Sequence, residues 1–355
     1  GAVDRAENAA DALNIQKPLN ILVIGGSGFI SSRLVDMLVE RGHSVTAFTR
    51  GKRGVDPGLK KRVTWVHGDR GSRGDIESLG RGSTFDVVYD MIAYEGAQSQ
   101  EVARVFRGRV GRFIHCSTVS VYMVAAKVRC PVTEDQDQGP LMEYFPRNPF
   151  GMEYGIRKRE CERVLWEAHD ERLFPVSMLR PIYVSGPGDP ASRDWFWIER
   201  ILDGGPLLVP GSGDIAFQQV FVEDVASMFA ELPERPVAVG KAYNIAGEEI
   251  FSLNDYLHFL GELVGRPVAL AHMEQRAFDA LDFSVSPQGD VFTFNVRRTA
   301  VFSLDRIKRD LGYRPTPFRD YMKRTIDWWT EMPRAHSNGY ARRAEELETI
   351  RRLMA

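Results

Sequence analysis

Residues 20–50 read NILVIGGSGFISSRLVDMLVERGHSVTAFTR, and this stretch decides the fold. Four consecutive aliphatic residues, Ile21 to Ile24, predict a strand that is buried on both faces of a parallel sheet. A glycine-rich turn follows, and Phe29 to Glu40 then has the apolar spacing of an amphipathic helix. Val45 to Phe48 returns as a second strand. The stretch is therefore predicted to be a βαβ unit.

The turn of this unit carries Gly25, Gly28 and Ser31 at the spacing G-x-x-G-x-x-S, between the predicted strand and helix. Glycines let the backbone approach a pyrophosphate, and the N-terminus of the helix offers it free N–H groups and the positive end of a dipole. We therefore predict a dinucleotide site. The alternative is a plain tight turn that binds nothing.

Composition narrows the class of protein. The chain has 355 residues and a formal net charge of -2, which gives no electrostatic footprint for nucleic acid. It has no run of about 18 apolar residues, so no membrane span is expected. Three cysteines, Cys116, Cys130 and Cys161, show no C-x-x-C spacing, which favours a reducing, cytoplasmic setting without a disulfide framework or a metal site. Residues 1–18 are expected to be a disordered polar leader.

The end of the second strand bears on the choice of nucleotide. An acidic residue there would bind the adenosine ribose of NAD and repel a 2′-phosphate. This chain has the neutral Thr49, followed by the basic Arg50 with Lys52 and Arg53 close behind. The pattern favours NADP over NAD, although a solvated basic loop would give the same composition.

Three more strands precede residue 120: Val63 to His67, Asp86 to Asp90, and Arg112 to Cys116, with a helix from Gln98 to Phe106 before the last. Repeated strand–helix units predict an α/β fold with a Rossmann-type, doubly wound parallel sheet. Ligands of such sheets bind at the carboxyl ends of the strands.

Two groups of polar residues are predicted to meet at that edge. Hydroxyl side chains cluster from Ser117 to Tyr122, directly after the fifth strand. A helix opened by Asn148 to Gly151 then carries Tyr154 and Lys158, which are neighbours on one helical face because they stand at i and i+4. A nearby ammonium and a positively charged nicotinamide would lower the pKa of the tyrosine enough for acid–base work. The alternative is a surface tyrosine with a solvated lysine.

At this point the chain resembles the extended short-chain dehydrogenase/reductase family, in particular its NAD-dependent epimerase/dehydratase branch. The resemblance covers about residues 20–330. It rests on several ordered motifs, namely IGGSGFIS, STVSVY followed by YGIRK, LRPIYVSGPGD, VFVEDVA, YNIAGEE, P-x-G-D and LGYRP.

The resemblance implies roles for individual residues. Tyr154 would be the catalytic acid and base, Lys158 would bind the nicotinamide ribose, and Thr118 would hydrogen-bond the reacting oxygen. The residues expected to hold the cofactor are Gly25, Gly28, Phe29, Ile30, Arg50, Asp69, Lys158, Pro181 and Val184. It also implies a homodimer.

Departures from the family pattern bear on the substrate. Ser31 replaces the third glycine, which is expected to loosen helix–strand packing slightly. Nucleotide-sugar members carry two arginines that clamp the diphosphate, where this chain has Phe217 and Ser286. We therefore expect a sugar-like small molecule, although Arg297, Arg298 or Arg193 would be able to substitute. The candidate substrate contacts are Ser120, Tyr94, Trp195 and Arg193.

The second half of the chain is predicted to supply a smaller mixed α/β lobe. We place the dinucleotide-binding domain at 19–182 with returning segments near 214–247, the substrate lobe mainly at 183–330, and a charged C-terminal helix at 331–355. The predicted elements of the second half are strands at Asp214 to Val222 and Val268 to His272, and helices at Asn254 to Val264 and Phe318 to Trp329.

The function expected from these residues is NAD(P)-dependent oxidoreduction or epimerisation through a keto intermediate, with no metal. Whether the ketone is re-reduced, eliminated or released stays open. The runner-up is a nucleotide-sugar 4-epimerase or dehydratase. A rival of another class is a cofactor-sensing or RNA-binding protein that kept the fold and lost turnover.

Overall fold

The computed structural model describes residues 17–143, 149–281 and 292–355, with the backbone alone at 149–151. Most of the predicted leader, Asn148, Ser286 and the P-x-G-D segment at 287–290 lie outside the described residues.

In chain order the strands of the main sheet are β1 Asn20–Ile24, β2 Ser44–Thr49, β3 Thr64–His67, β4 Phe85–Asp90, β5 Val110–Cys116, β6 Val176–Pro181 and β11 Lys241–Ile245. Within the described ranges these seven strands run parallel, in the order β11-β6-β5-β4-β1-β2-β3. The order reverses between β1 and β4, which is where a doubly wound sheet opens its ligand crevice. The predicted fold class is confirmed, and the strand boundaries differ from the prediction by one or two residues.

Helices cover both faces of this sheet. The α-helices are α1 Ser31–Glu40, α2 Pro57–Arg62, α3 Arg73–Gly80, α4 Gly96–Phe106, α5 Ser120–Met123, α6 Pro149–Asp170, α7 Arg193–Leu202, α8 Val222–Glu231, α9 Leu253–Val264, α10 Gln275–Asp279, α11 Asp305–Leu311, α12 Phe318–Thr330 and α13 Arg343–Met354. Strand β1 is fully buried from Ile21 to Ile24, as its run of aliphatic residues predicts. The first helix begins at Ser31 and not at Phe29, because the two residues before Ser31 belong to the turn.

In the part of the smaller lobe that the structure describes, short strands form three pairs. These strands are β7 Tyr183–Ser185, β8 Leu207–Pro210, β9 Ala216–Phe217, β10 Gln219–Phe221, β12 Phe251–Ser252 and β13 Leu270–Met273. The pairs are β7 with β10, β8 with β13, and β9 with β12. The predicted strand Asp214 to Val222 was therefore wrong as one element. It consists of β9 and β10, and Val222 already starts α8 because Glu223 and Asp224 supply the acidic first turn that favours a helix there.

The C-terminal segment is held by buried charges. A single helix over 331–355 was wrong, because α13 begins only at Arg343 and Gly339 turns the chain before it with φ +77°. On α13, Glu346 accepts two hydrogen bonds from Arg200 of α7, at 2.9 and 2.5 Å, and both side chains are fully buried. The helix is therefore packed onto the smaller lobe.

No helix in the described ranges is long and apolar enough to cross a membrane. The same residues contain no group of three or more histidine, cysteine or acidic side chains placed to hold a metal ion.

Candidate functional site

The glycine turn after β1 is packed tightly against its neighbours and leaves backbone amides uncapped at the start of α1. Gly25 has φ +87°, and a Cβ there would lie 2.6 Å from Cγ2 of Ile92. A Cβ on Gly26 would lie 2.8 Å from the Ala47 methyl group. Helix α1 begins without a side-chain cap, and the Phe29 and Ile30 amides have no hydrogen-bond partner in the described part of the chain. These residues fit the phosphates of a dinucleotide, because uncapped amides at a helix N-terminus bind anions.

Ser31 links two backbone groups of this turn. Its side chain is 3% exposed, and its hydroxyl donates to the Gly25 carbonyl at 2.5 Å. The same oxygen accepts a hydrogen bond from the Gly28 amide at 2.8 Å. The hydroxyl therefore joins two backbone groups across the turn, and the expected slight loosening of helix–strand packing stays a prediction.

The basic loop after β2 lies beside the turn. Arg50 is exposed, and the neutral Thr49 before it is buried, with its hydroxyl accepting from the Gly51 amide at 3.1 Å. Arg53 reaches back to the turn, where its Nη1 lies 3.4 Å from the Ser27 carbonyl oxygen. Asp69, two residues after the end of β3, is exposed and accepts a hydrogen bond from the Gly71 amide at 2.7 Å.

Three side chains from two segments, the residues after β5 and helix α6, lie near the carboxyl end of β5. Thr118 follows that strand and forms a side-chain hydrogen bond with Tyr154 of α6. Lys158, one turn further along α6, is 2% exposed. Its ammonium donates to the carbonyls of Ala93 and Cys116 at 2.8 and 2.7 Å. Two of its three N–H donors therefore fix the lysine to the ends of β4 and β5, and one donor is left.

Burial raises the pKa of the Tyr154 phenol, and nearby Cys116 and Tyr94 raise it further. The hydrogen bond with Thr118 and the charge of Arg193 act in the opposite direction, to lower this pKa, and do not cancel the increase. The raised pKa means that the phenol is protonated at neutral pH. The expected lowering by Lys158 and a nicotinamide ring stays a prediction.

The fold reaches this arrangement through residues that the sequence analysis missed. A Cβ on Gly155 would lie 2.6 Å from the Ser120 carbonyl oxygen, so glycine lets α6 approach the chain beside Thr118. Glu162 is bound to Ser117 by a hydrogen bond from the serine hydroxyl. Glu162 is eight residues after Tyr154, about two helical turns along the same side of α6. This spacing is the signal in the sequence that would have identified Glu162.

The remaining candidates surround these side chains at different depths. The Tyr94 and Tyr154 ring centres are 6.4 Å apart, and Tyr94 is 49% exposed. Ser120 lies against Thr118, with 3.1 Å between their hydroxyl oxygens. The carbonyl of Pro181, at the end of β6, accepts from the Val119 amide at 3.2 Å.

Two further candidates are Val184, proposed for the cofactor, and Trp195, proposed for the substrate. Val184 is half-buried in β7. Trp195 turns into the core, stacked 5.3 Å from Trp329, and its indole N–H donates to the Ala335 carbonyl at 3.0 Å. The Trp195 ring therefore packs in the core, and the structure does not support the predicted contact between Trp195 and the substrate.

An aromatic cluster fills the position where an arginine was expected in nucleotide-sugar members. Phe217 is fully buried, and its ring centre lies 5.1 Å from Phe294 and 6.1 Å from Tyr183. Phe251 and Tyr256 complete the cluster at 5.8 and 6.0 Å from Phe217. This part of the smaller lobe is apolar and closely packed.

Known proteins resemble this chain at modest identity. A chloroplast stem-loop binding protein of 41 kDa from Arabidopsis thaliana is 26% identical over 309 residues, which cover 83% of this chain and 75% of that protein. A 2-alkyl-3-oxoalkanoate reductase from Stenotrophomonas maltophilia is 27% identical over 358 residues, with coverage of 95% and 99%.

The fold matches that of solved epimerases. The crystal structure of UDP-glucose 4-epimerase from Thermotoga maritima with UDP-glucose has a TM-score of 0.69 at 22% identity and covers 88% of this chain and 99% of that one. Residues 21–246 match the model of the NAD dependent epimerase/dehydratase family. The chain therefore belongs to that family, within the extended short-chain dehydrogenases/reductases.

Proposed function

We propose that this protein catalyses hydride exchange between NAD(P) and a secondary alcohol or ketone carbon of a small, sugar-like substrate, with Tyr154 as acid and base. The observation that carries the proposal is the meeting of Thr118, Tyr154 and the tethered Lys158 at the edge of the sheet that also holds the glycine turn. Near the ends of strands β4 and β5, Thr118 and Tyr154 supply hydroxyl groups for the substrate oxygen, and Lys158 supplies an ammonium for the cofactor.

The chemistry divides between cofactor and protein. The nicotinamide cofactor, when bound, supplies acceptance and return of hydride. Thr118 and Tyr154 hold the substrate oxygen between two hydroxyl groups. The phenol gives its proton to a carbonyl oxygen in the reductive direction and takes a proton from a hydroxyl in the oxidative one. The protonated state favoured by burial is the one that the reductive direction uses.

Lys158 positions the cofactor in this proposal. Its contacts with Ala93 and Cys116 leave one N–H donor for a ribose hydroxyl. Gly25, with the amides of Phe29 and Ile30, would hold the pyrophosphate. Pro181, Val184 and Asp69 remain candidates for the nicotinamide and adenine ends, and Arg50 for a 2′-phosphate, so NADP is our preferred cofactor.

The substrate is proposed to lack a nucleoside diphosphate. The buried Phe217 stands where nucleotide-sugar members are expected to carry a clamping arginine, and it packs against Phe294. A diphosphate needs charged donors, and an aromatic cluster offers none. The similarity to an oxoalkanoate reductase supports a small carbonyl substrate, and the similarity to UDP-sugar epimerases keeps the nucleotide-sugar reaction as the alternative.

The test combines cofactor identification with one substitution. Mass spectrometry of the small molecules released on denaturation identifies the nucleotide, and sugars are then screened for exchange of C–H hydrogen. Tyr154→Phe should lower turnover by about 10²–10⁴-fold, the usual contribution of a general acid–base group, with little change in cofactor affinity. The matched control is Tyr340→Phe, because Tyr340 is a distant tyrosine whose hydroxyl donates a hydrogen bond to Asp203. Turnover that survives in Tyr154→Phe would remove the phenol from the mechanism.

RNA binding is the second candidate, because one relative is a stem-loop binding protein. The net charge of -2 argues against it, since phosphate contacts need a basic surface. Filter binding of a stem-loop RNA at two salt concentrations tests whether the protein binds RNA. RNA affinity without any sugar-dependent hydrogen exchange would favour this second function.

A further inference from the structure

Arg193 brings a positive charge into the crevice. It is the first residue of α7, in the segment that follows β7, and its guanidinium carbon lies 5.7 Å from the centre of the Tyr183 ring. Tyr183 comes two residues after Pro181, whose carbonyl accepts a hydrogen bond at 3.2 Å from the amide of Val119, the neighbour of Thr118. The charge of Arg193 also acts to lower the pKa of the Tyr154 phenol. The guanidinium and the proposed catalytic group therefore belong to one site.

This guanidinium has N–H donors to spare. Within the described residues its single ion pair is with Asp189, and the distance from Nη1 to Oδ2 is 3.8 Å, too long for a hydrogen bond. The Asp189 carboxylate accepts from the Ala191 amide at 2.9 Å and from the Arg193 amide at 3.4 Å. Burial raises its pKa, and the charge of Arg193 acts in the opposite direction. The Arg193 side chain is 36% exposed, so a ligand can reach it from solvent.

The other two arginines considered as substitutes for the missing clamp are already engaged. Arg297 donates to both carboxylate oxygens of Asp279, at 2.7 and 2.8 Å. Arg298 donates to the backbone carbonyls of Ala125 and Met123, at 2.7 and 2.6 Å. A ligand that needs two arginines would have to break one of these sets of contacts.

A guanidinium that has one long ion pair and lies beside an aromatic ring suits a particular anion. A planar fork of N–H donors matches a carboxylate in two parallel hydrogen bonds. We propose that Arg193 binds a carboxylate of the substrate, so that the enzyme acts on a hydroxy acid or an oxo acid. This proposal for the substrate rests on the proposed function, because it places the carboxylate of the substrate near the oxygen that Tyr154 protonates.

The experiment measures binding without turnover. Isothermal titration uses the full-length Tyr154→Phe protein saturated with NADH, and in a parallel series with NADPH. The probes are D-glucuronate, 3-oxobutanoate and the methyl ester of each, with UDP as a diphosphate. At least one acid should bind about 10-fold to 100-fold more tightly than its ester, as expected for hydrogen bonds between charged groups. Adding Arg193→Gln to the Tyr154→Phe protein should abolish the preference for the acid over its ester, and adding Arg193→Lys should retain part of that preference.

Arg266→Gln, at an exposed arginine beyond the end of α9, is the matched control and should leave the preference unchanged. Thermal melting of each variant verifies that it folds. The proposal is overturned if neither acid binds better than its ester, or if Arg193→Gln weakens acid and ester equally. It is also overturned if UDP binds and Arg193→Gln abolishes that binding, because the anion would then be a diphosphate. None of these outcomes touches the role of Tyr154, which is measured by turnover in the otherwise native enzyme.

Discussion

Glu162→Gln removes one charge from beneath the proposed catalytic pair without changing the size of the side chain. Glu162 follows Lys158 by one helical turn and Tyr154 by two. Its carboxylate accepts from Arg180 of β6 through Nε at 2.8 Å and Nη2 at 2.5 Å, and it also accepts from the Ser117 hydroxyl. This single carboxylate therefore joins β5, β6 and α6.

The size of the effect follows from burial and from the contacts that remain. Arg180 and Glu162 are 1% and 2% exposed, and breaking a buried pair from one side costs about 3–5 kcal/mol. Arg180 would keep Asp137 at 2.6 Å and the Glu134 carbonyl at 3.0 Å. The glutamine oxygen can also accept one hydrogen bond. We therefore expect a loss of about 2–3 kcal/mol in the free energy of unfolding, the upper range for hydrogen bonds to charged groups.

Urea denaturation followed by tryptophan fluorescence measures this loss, and Trp166 reports from the same helix. Glu167→Gln is the matched control, because Glu167 is exposed and its ion pair is with the equally exposed Arg163 at 2.7 Å. Exposed pairs contribute about 0–1 kcal/mol, so the control should hardly change stability.

Activity provides the second readout. Ser117 adjoins Thr118, so a displaced strand end should lower kcat by about tenfold or more while KM changes little, because small misplacements of reacting groups are costly. A stability change below about 1 kcal/mol for Glu162→Gln would refute the reasoning about burial. A normal kcat in a clearly destabilised variant would show that the carboxylate supports the fold and not the geometry of the site.

Three further outcomes are expected. Arg50→Ala should weaken NADP by about 10-fold to 100-fold and NAD hardly at all in fluorescence titration, because a charged hydrogen bond to the 2′-phosphate is lost; equal losses would dismiss this contact. Gly155→Ala should cost about 1–3 kcal/mol in urea denaturation, since the new methyl group would lie 2.6 Å from the Ser120 carbonyl oxygen, and an unchanged midpoint would contradict the close approach. Burial raises the pKa of the Cys116 thiol to about 11, so iodoacetamide at pH 8 should modify the exposed Cys130 first and Cys116 only as the pH approaches 11, with peptide mass mapping as the readout. Rapid modification of Cys116 at pH 8 would show that its thiolate is not disfavoured.

Local signals predicted the main sheet well. The aliphatic run Ile21 to Ile24 and the glycines after it determine strand, turn and helix through contacts near in sequence, and the structure has all three. The i, i+4 pair of Tyr154 and Lys158 likewise shares one helical face because the helical repeat alone requires it. Whether these side chains act as proposed is a separate question that the substitutions above address.

Contacts between distant segments were beyond local reasoning. Arg180 and Glu162 are far from Ser117 in sequence, and nothing in their own neighbourhoods indicates the pairing. The late start of α13 had a readable signal, because the dipeptide Asn338–Gly339 is a strong turn former. The mixed charges around it suggested an uninterrupted helix and obscured that signal.

The hydroxyl of Ser31 has a consequence for how nucleotide sites are judged from sequence. By linking the Gly25 carbonyl to the Gly28 amide, it holds the turn in one shape through contacts of the protein itself. A loop that is preorganised in this way gives up less conformational entropy when a ligand binds. Restoring the three-glycine motif by Ser31→Gly would make the turn more flexible, so the sequence that fits the consensus better would belong to the weaker binder.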